Sequence, residues 1–412
     1  MLKKGFFILI YMHNFSKFKR STIIFILGLL SAIGPFSIDM YLPAFKTIAT
    51  DFGTSVDRVQ LSLSSFFIGI AIGQLVYGPL LDKFGRKKPL IVGISLYIFA
   101  SIMCIFSTNI EQLIVFRFIQ ALGSCSGMVA SRAMVRDYFG PQESAKIFSM
   151  LMLIVGISPI LAPSVGAFVM SHFEWHMIFT ILTVMAVLIL ISVIFLLPES
   201  FAGNKNFSLA PKQVTINFWT VCKNPQFLSF CLVSALTASA LYAYLAGSPF
   251  VMQELYGLTE SEYGIVFAII ASALILATQI NRIALNRWSS SDISRFASRL
   301  QVSMSALFIV VTLGGWITLP TMVGFIFLIL LAQGFIFPNT SALALAPFKE
   351  LAGSASALLG CFQMGIGALA SGAVSILHNN TALPMVIVMS ACSFLGLIIY
   401  LYLPKLLKPA TI

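Results

Sequence analysis

Only 14 of the 412 residues are Asp or Glu, and one of them stands apart. Asp39 lies about 17 residues into a long apolar stretch, roughly mid-membrane if that stretch is a helix. Every other acid falls at the end of such a stretch or between two. An acid at the centre of a bilayer costs roughly 2.5–3.5 kcal/mol or more. The chemistry that suits such a residue is proton binding, because burial disfavours the charge and a nearby cation restores it. A structural carboxylate locked to a partner is the alternative. Arg117 is the natural partner by depth. Counted by helical rise, Asp39 lies roughly 26 Å and Arg117 roughly 28 Å from the same end of their helices. Gln120, three residues on, shares a face with Arg117 and could hydrogen-bond either group or simply join helices.

Little else in the chain offers chemistry. Six cysteines sit at 104, 125, 222, 231, 361 and 392, mostly inside apolar runs and without metal-ligand spacing, so neither a disulfide framework nor a metal site is expected. His172, His176 and His378 fall at the ends of apolar runs and read as surface residues. No Gly-x-x-x-x-Gly-Lys-Ser/Thr loop is present, so ATP is not the expected energy source, and no cofactor is expected.

These residues must be positioned by helices in lipid. Apolar residues make up 58% of the chain, charged residues 9%, and mean hydropathy is +0.97. A soluble domain averages roughly 25% charged residues. Soluble enzymes, nucleic-acid binders and disordered chains are thereby excluded, and an all-α polytopic membrane protein is expected. Apolar runs give twelve spans at 22–49, 58–80, 89–108, 111–137, 144–171, 174–197, 225–250, 259–282, 293–317, 320–345, 351–377 and 381–404. With the amino terminus in the cytoplasm, nearly all of the 25 Lys and Arg fall on the inner side, with Lys46 and Arg58 outside and Arg117 within the membrane, which puts both termini in the cytoplasm. The net charge of +11 is then topogenic and no sign of a nucleic-acid partner.

Five segments follow: a tail at 1–21 (with Met1 or Met12 as the start), a six-helix bundle at 22–197, a linker at 198–224, a second bundle at 225–404 and a tail at 405–412. The bundles read as parallel repeats. Gly53, with Thr54 and Asp57 as a capping-box-like start, is echoed about 205 residues on by Gly257, Thr259 and Glu262. Pro43 and Pro249 keep a similar offset.

The connection between spans 2 and 3 reads Gly78-Pro-Leu-Leu-Asp82-Lys-Phe-Gly85-Arg86-Lys87-Lys88. With Asp39-Met-Tyr41-Leu-Pro43, Gly73-Gln74, Arg117-Phe-Ile-Gln120, Arg136-Asp137 and Pro159-Ile-Leu-Ala-Pro163-Ser-Val-Gly166, it resembles the major facilitator superfamily. Within it the closest likeness is to drug:proton antiporters of the Bcr/CflA, bicyclomycin-resistance-like, branch. The resemblance implies a major facilitator fold of two six-helix pseudo-repeats, and a proton-coupling role for Arg117 beside Asp39. Gly78, Asp82, Gly85, Arg86, Lys87, Arg136 and Glu199 become gating residues, with Gly78 and Gly85 allowing close backbone approach and a tight turn, Asp82 meeting the span 11 dipole when the inner face closes, Arg86 and Lys87 pairing with Asp137 or Glu199, and Arg136 with Glu199. A plain topogenic role for Lys87 stays open. Gly156, Pro159, Pro163 and Gly166 imply close packing, a kink and, through the resemblance, export.

Spans lining the cavity in that superfamily carry Tyr41, Tyr242, Tyr244, Phe335, Asn339, Phe362 and Gln363, which with Gln120 are the candidate substrate contacts. An apolar pocket with one acid suits small amphipathic solutes, often cationic or neutral. The expectation is a multidrug exporter in a bacterial inner membrane, exchanging solute for protons as a monomer by alternating access. Proton-coupled transport of one metabolite, such as an amino acid, is the alternative. A membrane enzyme or receptor lacks a clustered set of reactive side chains or a soluble signalling part.

Overall fold

The computed structural model describes residues 17–139, 141–204, 211–348 and 351–406. The expected tails over 1–16 and 407–412, the choice between Met1 and Met12, and linker residues 205–210 lie outside them. All regular structure among the described residues is helical. Spans 1 to 4 are Lys17–Asp39 (continued by a 3-10 turn Leu42–Ala44 and Phe45–Asp51), Val56–Phe84, Lys87–Ile105 and Ile110–Tyr138. Spans 5 and 6 are Pro141–His172 and His176–Phe195. Spans 7 and 8 are Pro225–Pro249 (continued by a π turn Phe250–Leu255) and Glu260–Ala284. Spans 9 to 12 are Ser290–Leu313, Leu319–Leu345, Ala352–Ile376 and Leu383–Leu406. Eleven of these are long and apolar enough to cross a membrane. The twelfth, span 5, is a 32-residue helix, or about 48 Å by helical rise.

Three features were not read from the sequence. Span 1 stops being α-helical at Asp39, because Pro43 two residues into the 3-10 turn removes a backbone donor. Span 7 loosens into a π turn directly after Pro249. The linker contains a helix, Pro211–Cys222, that packs on spans 7 and 11 and presents Ile216 and Trp219 outward. Lys223 lies 5.4 Å over the Trp219 ring.

The repeat shows in backbone conformation. Gly53 and Gly257 both have positive φ, 60° and 70°, where a side chain is strained. Thr259 and Glu262 form a full capping box, but Thr54 and Asp57 do not. Span 2 begins instead after Ser55, with no side-chain cap, because an aspartate is a methylene shorter than the Glu or Gln that normally closes the box.

The two ends of the bundle differ. Call the end carrying Arg86, Asp137 and Glu199 the basic end. At the opposite end the halves are joined: Ser375 donates to Gln60 Oε1 (3.1 Å), Ser64 and Ser371 share a bond (2.7 Å), and Gln253 donates to the Pro43 carbonyl (3.2 Å). Gly264 of span 8 would place a Cβ 3.2 Å from that of Ala167 on span 5. Spans 2 and 11 stay close down to Gly360, whose absent Cβ leaves room for the Gln74 amide. Beyond that level Gly78 and Gly353 face open space. The close backbone approach expected at Gly78 is therefore absent.

Candidate functional site

Asp39 is 5% exposed and closes the α-helical part of span 1. Ser37, two residues earlier, bonds Tyr97 of span 3 (2.6 Å), so its side chain points into the first half. Two residues are 200° apart on a helix, which turns Asp39 the other way, toward the second half. There its carboxylate comes within electrostatic reach of Tyr242 and Tyr244 on span 7 and Tyr263 on span 8. Tyr263 shares a hydrogen bond with Ser248 (3.0 Å), which leaves the buried Tyr244 hydroxyl without a well-formed one. Tyr242 packs its ring 4.7 Å from Phe67 and directs its hydroxyl to the Met364 sulfur.

Arg117 is at the expected depth but faces elsewhere. It is wholly buried, donating to the Ser37 carbonyl (2.8 Å) and Gln120 Oε1 (2.6 Å). Gln120 in turn donates to Ser101 of span 3 (2.7 Å). Three rings surround the guanidinium, those of Phe66, Tyr41 and Phe179, with centroids at 4.2, 4.7 and 5.8 Å. Its electrostatic neighbours are Tyr41, Tyr97 and Cys104. No ion pair joins it to Asp39 among the described residues; the two are linked through the span 1 backbone, from Ser37 to Asp39. The direct pairing expected from depth fails because depth says nothing about azimuth.

The backbone just past Asp39 is clamped by span 5. A Cβ on Gly166 would lie 2.1 Å from the Met40 carbonyl oxygen, so only glycine lets span 5 approach the break. Pro163 packs beside Gly264 at the same crossing. Pro159 and Pro163 lie inside a continuous helix, whereas Gly156 faces open space.

At the basic end the signature loop forms a charged knot. Arg86 donates from Nε to Asp137 Oδ2 and from Nη1 to Asp82 Oδ1, both at 2.8 Å. Burial works against its charge, but Asp137 and Asp82 hold the guanidinium above its ordinary pKa. Glu199 accepts from the backbone amides of Arg86 (2.9 Å) and Lys87 (3.1 Å). A carboxylate is thereby placed on the free N–H groups that open span 3. Lys87 Nζ donates to the Ile194 carbonyl (2.7 Å). Gly85 has φ of 86° and sits against the Phe201 carbonyl, which explains the glycine. Two expectations change. Asp82 turns back to Arg86, four residues on across the Gly85 break, and not to span 11 in this structure. Arg136 is exposed and forms no ion pair with Glu199 among the described residues, since that carboxylate is occupied by amides.

The expected substrate contacts separate into groups. Tyr242 and Tyr244 lie within electrostatic reach of Asp39. Tyr41, bonded to Ser62 (2.6 Å), and Gln120 are sealed in the first half with no surface for a solute. Asn339 donates to Asn281 (2.7 Å) and Gln363 to Ser234 (2.8 Å), both inside the second half. Phe335 and Phe362 pack on the second half's core near Phe227 and Tyr400. Sequence reasoning missed Tyr263, whose only sequence mark is an aromatic near the start of a span. It also missed a cleft of about 420 Å³ at the opposite end, lined by residues including Lys46, Gln253 and Glu260.

This geometry can be set beside known proteins. The profile of the Major Facilitator Superfamily matches residues 25–372. The chain belongs to the major facilitator superfamily. It is therefore a polytopic membrane transporter of small molecules and not an enzyme. It is 33% identical over 399 residues to the "Uncharacterized MFS-type transporter YdgK" of Bacillus subtilis, covering 96% of this chain and 98% of that one. A "Bicyclomycin resistance protein homolog" of Haemophilus influenzae is 29% identical over 391 residues, 93% of this chain and 97% of its own. Among solved structures, a D-xylose-proton symporter superposes with a TM-score of 0.68 at 14% identity, covering 93% of this chain and 97% of that one. That likeness speaks for the fold alone.

Proposed function

We propose that the chain is a proton-coupled antiporter of a bacterial inner membrane that exports small amphipathic compounds by alternating access, with Asp39 as proton carrier. The observation that carries this reading is the burial of Asp39, with no cation paired to it among the described residues and Tyr242, Tyr244 and Tyr263 of the second half within electrostatic reach. An ionised carboxylate in such a site is expensive, and taking a proton removes the cost. The Asp39 backbone leads within four residues to Pro43, whose carbonyl holds Gln253 across the opposite end. Protonation is thus placed to act on a seal between the halves. Arg117 serves as a positioning residue, fixing span 1 through the Ser37 carbonyl and setting the local field without neutralising the carboxylate.

In this reading the basic end is cytoplasmic, both termini lie inside, and the Arg86–Asp82–Asp137 knot with Glu199 and Lys87 steadies the inner gate. The two bundles at 22–197 and 225–404 rock as units joined by 198–224, and a monomer suffices. Resistance-protein relatives and the span 5 motif Gly156, Pro159, Pro163 and Gly166 favour export. The test uses inverted vesicles holding a preformed pH gradient, to which candidate drugs are added. Dissipation of the gradient by the native protein, absent in Asp39→Asn, is expected. Strengthening of the gradient would mean symport, and unchanged exchange in Asp39→Asn would remove Asp39 from the mechanism.

A further inference from the structure

Every acid among the described residues of the basic end is already engaged. Glu143 meets Arg20, Asp82 and Asp137 hold Arg86, Glu199 caps span 3, and Asp292 accepts from Ser289. The arginines of span 4 are not matched. Arg132 and Arg136, one helical turn apart, are both exposed and meet no carboxylate among the described residues. Arg132 lies six residues before the helix end at Tyr138, about 9 Å inside by helical rise. It keeps accessible surface although it lies inside the span. An accessible guanidinium at that depth belongs to the wall of a cleft, because one turned to lipid there is costly.

The rest of the geometry agrees. Arg132 shares a face with Cys125 two turns earlier, and Cys125 contacts the Ile70 carbonyl of span 2 (3.6 Å). The face therefore runs down from the point where spans 2, 4 and 11 converge, toward the level at which Gly78 and Gly353 look into open space. Arg136 follows on the same line. A solute climbing from the basic end toward Asp39 passes two uncompensated guanidinium groups before it meets a carboxylate.

We propose that Arg132 is an anion-receiving residue on the solute path, so that the chain takes solutes bearing a carboxylate or comparable anionic group, alone or within a zwitterion, and rejects permanent cations. The inference rests on the transporter reading above and narrows the amphipathic class given there. A planar guanidinium offers paired donors to a carboxylate, while a fixed cation meets repulsion with no acid nearby to offset it.

The test is equilibrium binding to the purified full chain in lipid nanodiscs, using two probes of similar size and opposite charge, 2-naphthoate and N-methylquinolinium. Naphthoate is expected to bind more tightly. Arg132→Gln should weaken naphthoate by about tenfold, the scale of a hydrogen bond to a charged group, and Arg132→Lys should restore most of it. Arg132→Glu should invert the order of the probes, and Lys88→Gln should leave both unchanged. A native protein that prefers the quinolinium, binds neither probe, or keeps its preference in a folded Arg132→Gln overturns the proposal. Binding needs no proton flow, so naphthoate binding in Asp39→Asn separates failure of this inference from failure of the antiport reading.

Discussion

The two halves share a scaffold but not a chemistry. In the first half, helices are joined through charge: Arg117 with Gln120 and the Ser37 carbonyl, Arg86 with two carboxylates, Glu199 on the start of span 3. In the second half the corresponding joints are neutral. Gln301 donates to Gln333 (3.2 Å), Asn339 to Asn281, and Gln363 to Ser234. At the repeat offset of about 205 residues, Asp39 is matched by Tyr244, and the two side chains come within electrostatic reach of each other. Duplication preserved the packing of helices, which depends on small residues and shape, and left each polar position free to diverge. A site between two such halves can then combine an ionisable group from one with an uncharged wall from the other.

The sharpest way to break this comparison is to exchange the matched pair. Asp39→Asn is expected to abolish drug-driven proton exchange in inverted vesicles, whereas Tyr244→Phe, which removes a hydroxyl without a well-formed partner, leaves it within about twofold. Equal effects would sink the asymmetry. Next in size is the dry core of each half. Arg117→Ala leaves Gln120 Oε1 and the buried Ser37 carbonyl without their donor and is expected to cost about 1–3 kcal/mol for each. Gln333→Leu should cost about 1–2 kcal/mol. Thermal melts of purified protein in detergent rank the two.

Glycine substitutions sharpen the packing side of the same contrast. Gly166→Ala drives a methyl into the Met40 carbonyl and should cost about 1–3 kcal/mol. Gly353→Ala, facing open space in the second half, should be neutral or mildly stabilising in the same melt. The smallest effect concerns helix starts. Glu199→Gln removes charge from the amides of Arg86 and Lys87 and should lower stability by about 1 kcal/mol, and Glu262→Gln in the second half's capping box by about half that. Hydrogen exchange at the first turns of spans 3 and 8 reads each cap directly.

Much of the architecture was legible in the sequence because a bilayer imposes one rule on every span: about twenty apolar residues with polar ends. Twelve spans and the basic loops followed from that rule. Asp39 stood out because an acid inside an apolar run is too costly to persist without a use. Its facing residues did not, since azimuth depends on where span 1 ceases to be helical, and Pro43 marks that place only to within a turn. Arg86 with Asp137 was readable as complementary charge between adjacent helix ends. Glu199 against backbone amides was not, because backbone donors leave no trace in a residue string. Nor did the string distinguish Tyr41, tucked into the first half's core, from Tyr242, which faces Asp39.

The interruption of span 1 carries a consequence of its own. Past Met40 the α-helical ladder gives way to a 3-10 turn, Leu42–Ala44, and the Pro43 carbonyl accepts from Gln253 across the seam. In the alternating-access reading proposed above, parting of the halves at that end costs this oxygen its donor in a medium that offers no substitute except water. Hydration and separation there must be a single event. On that reading, the ease with which one water molecule reaches a proline carbonyl would set how readily this end opens.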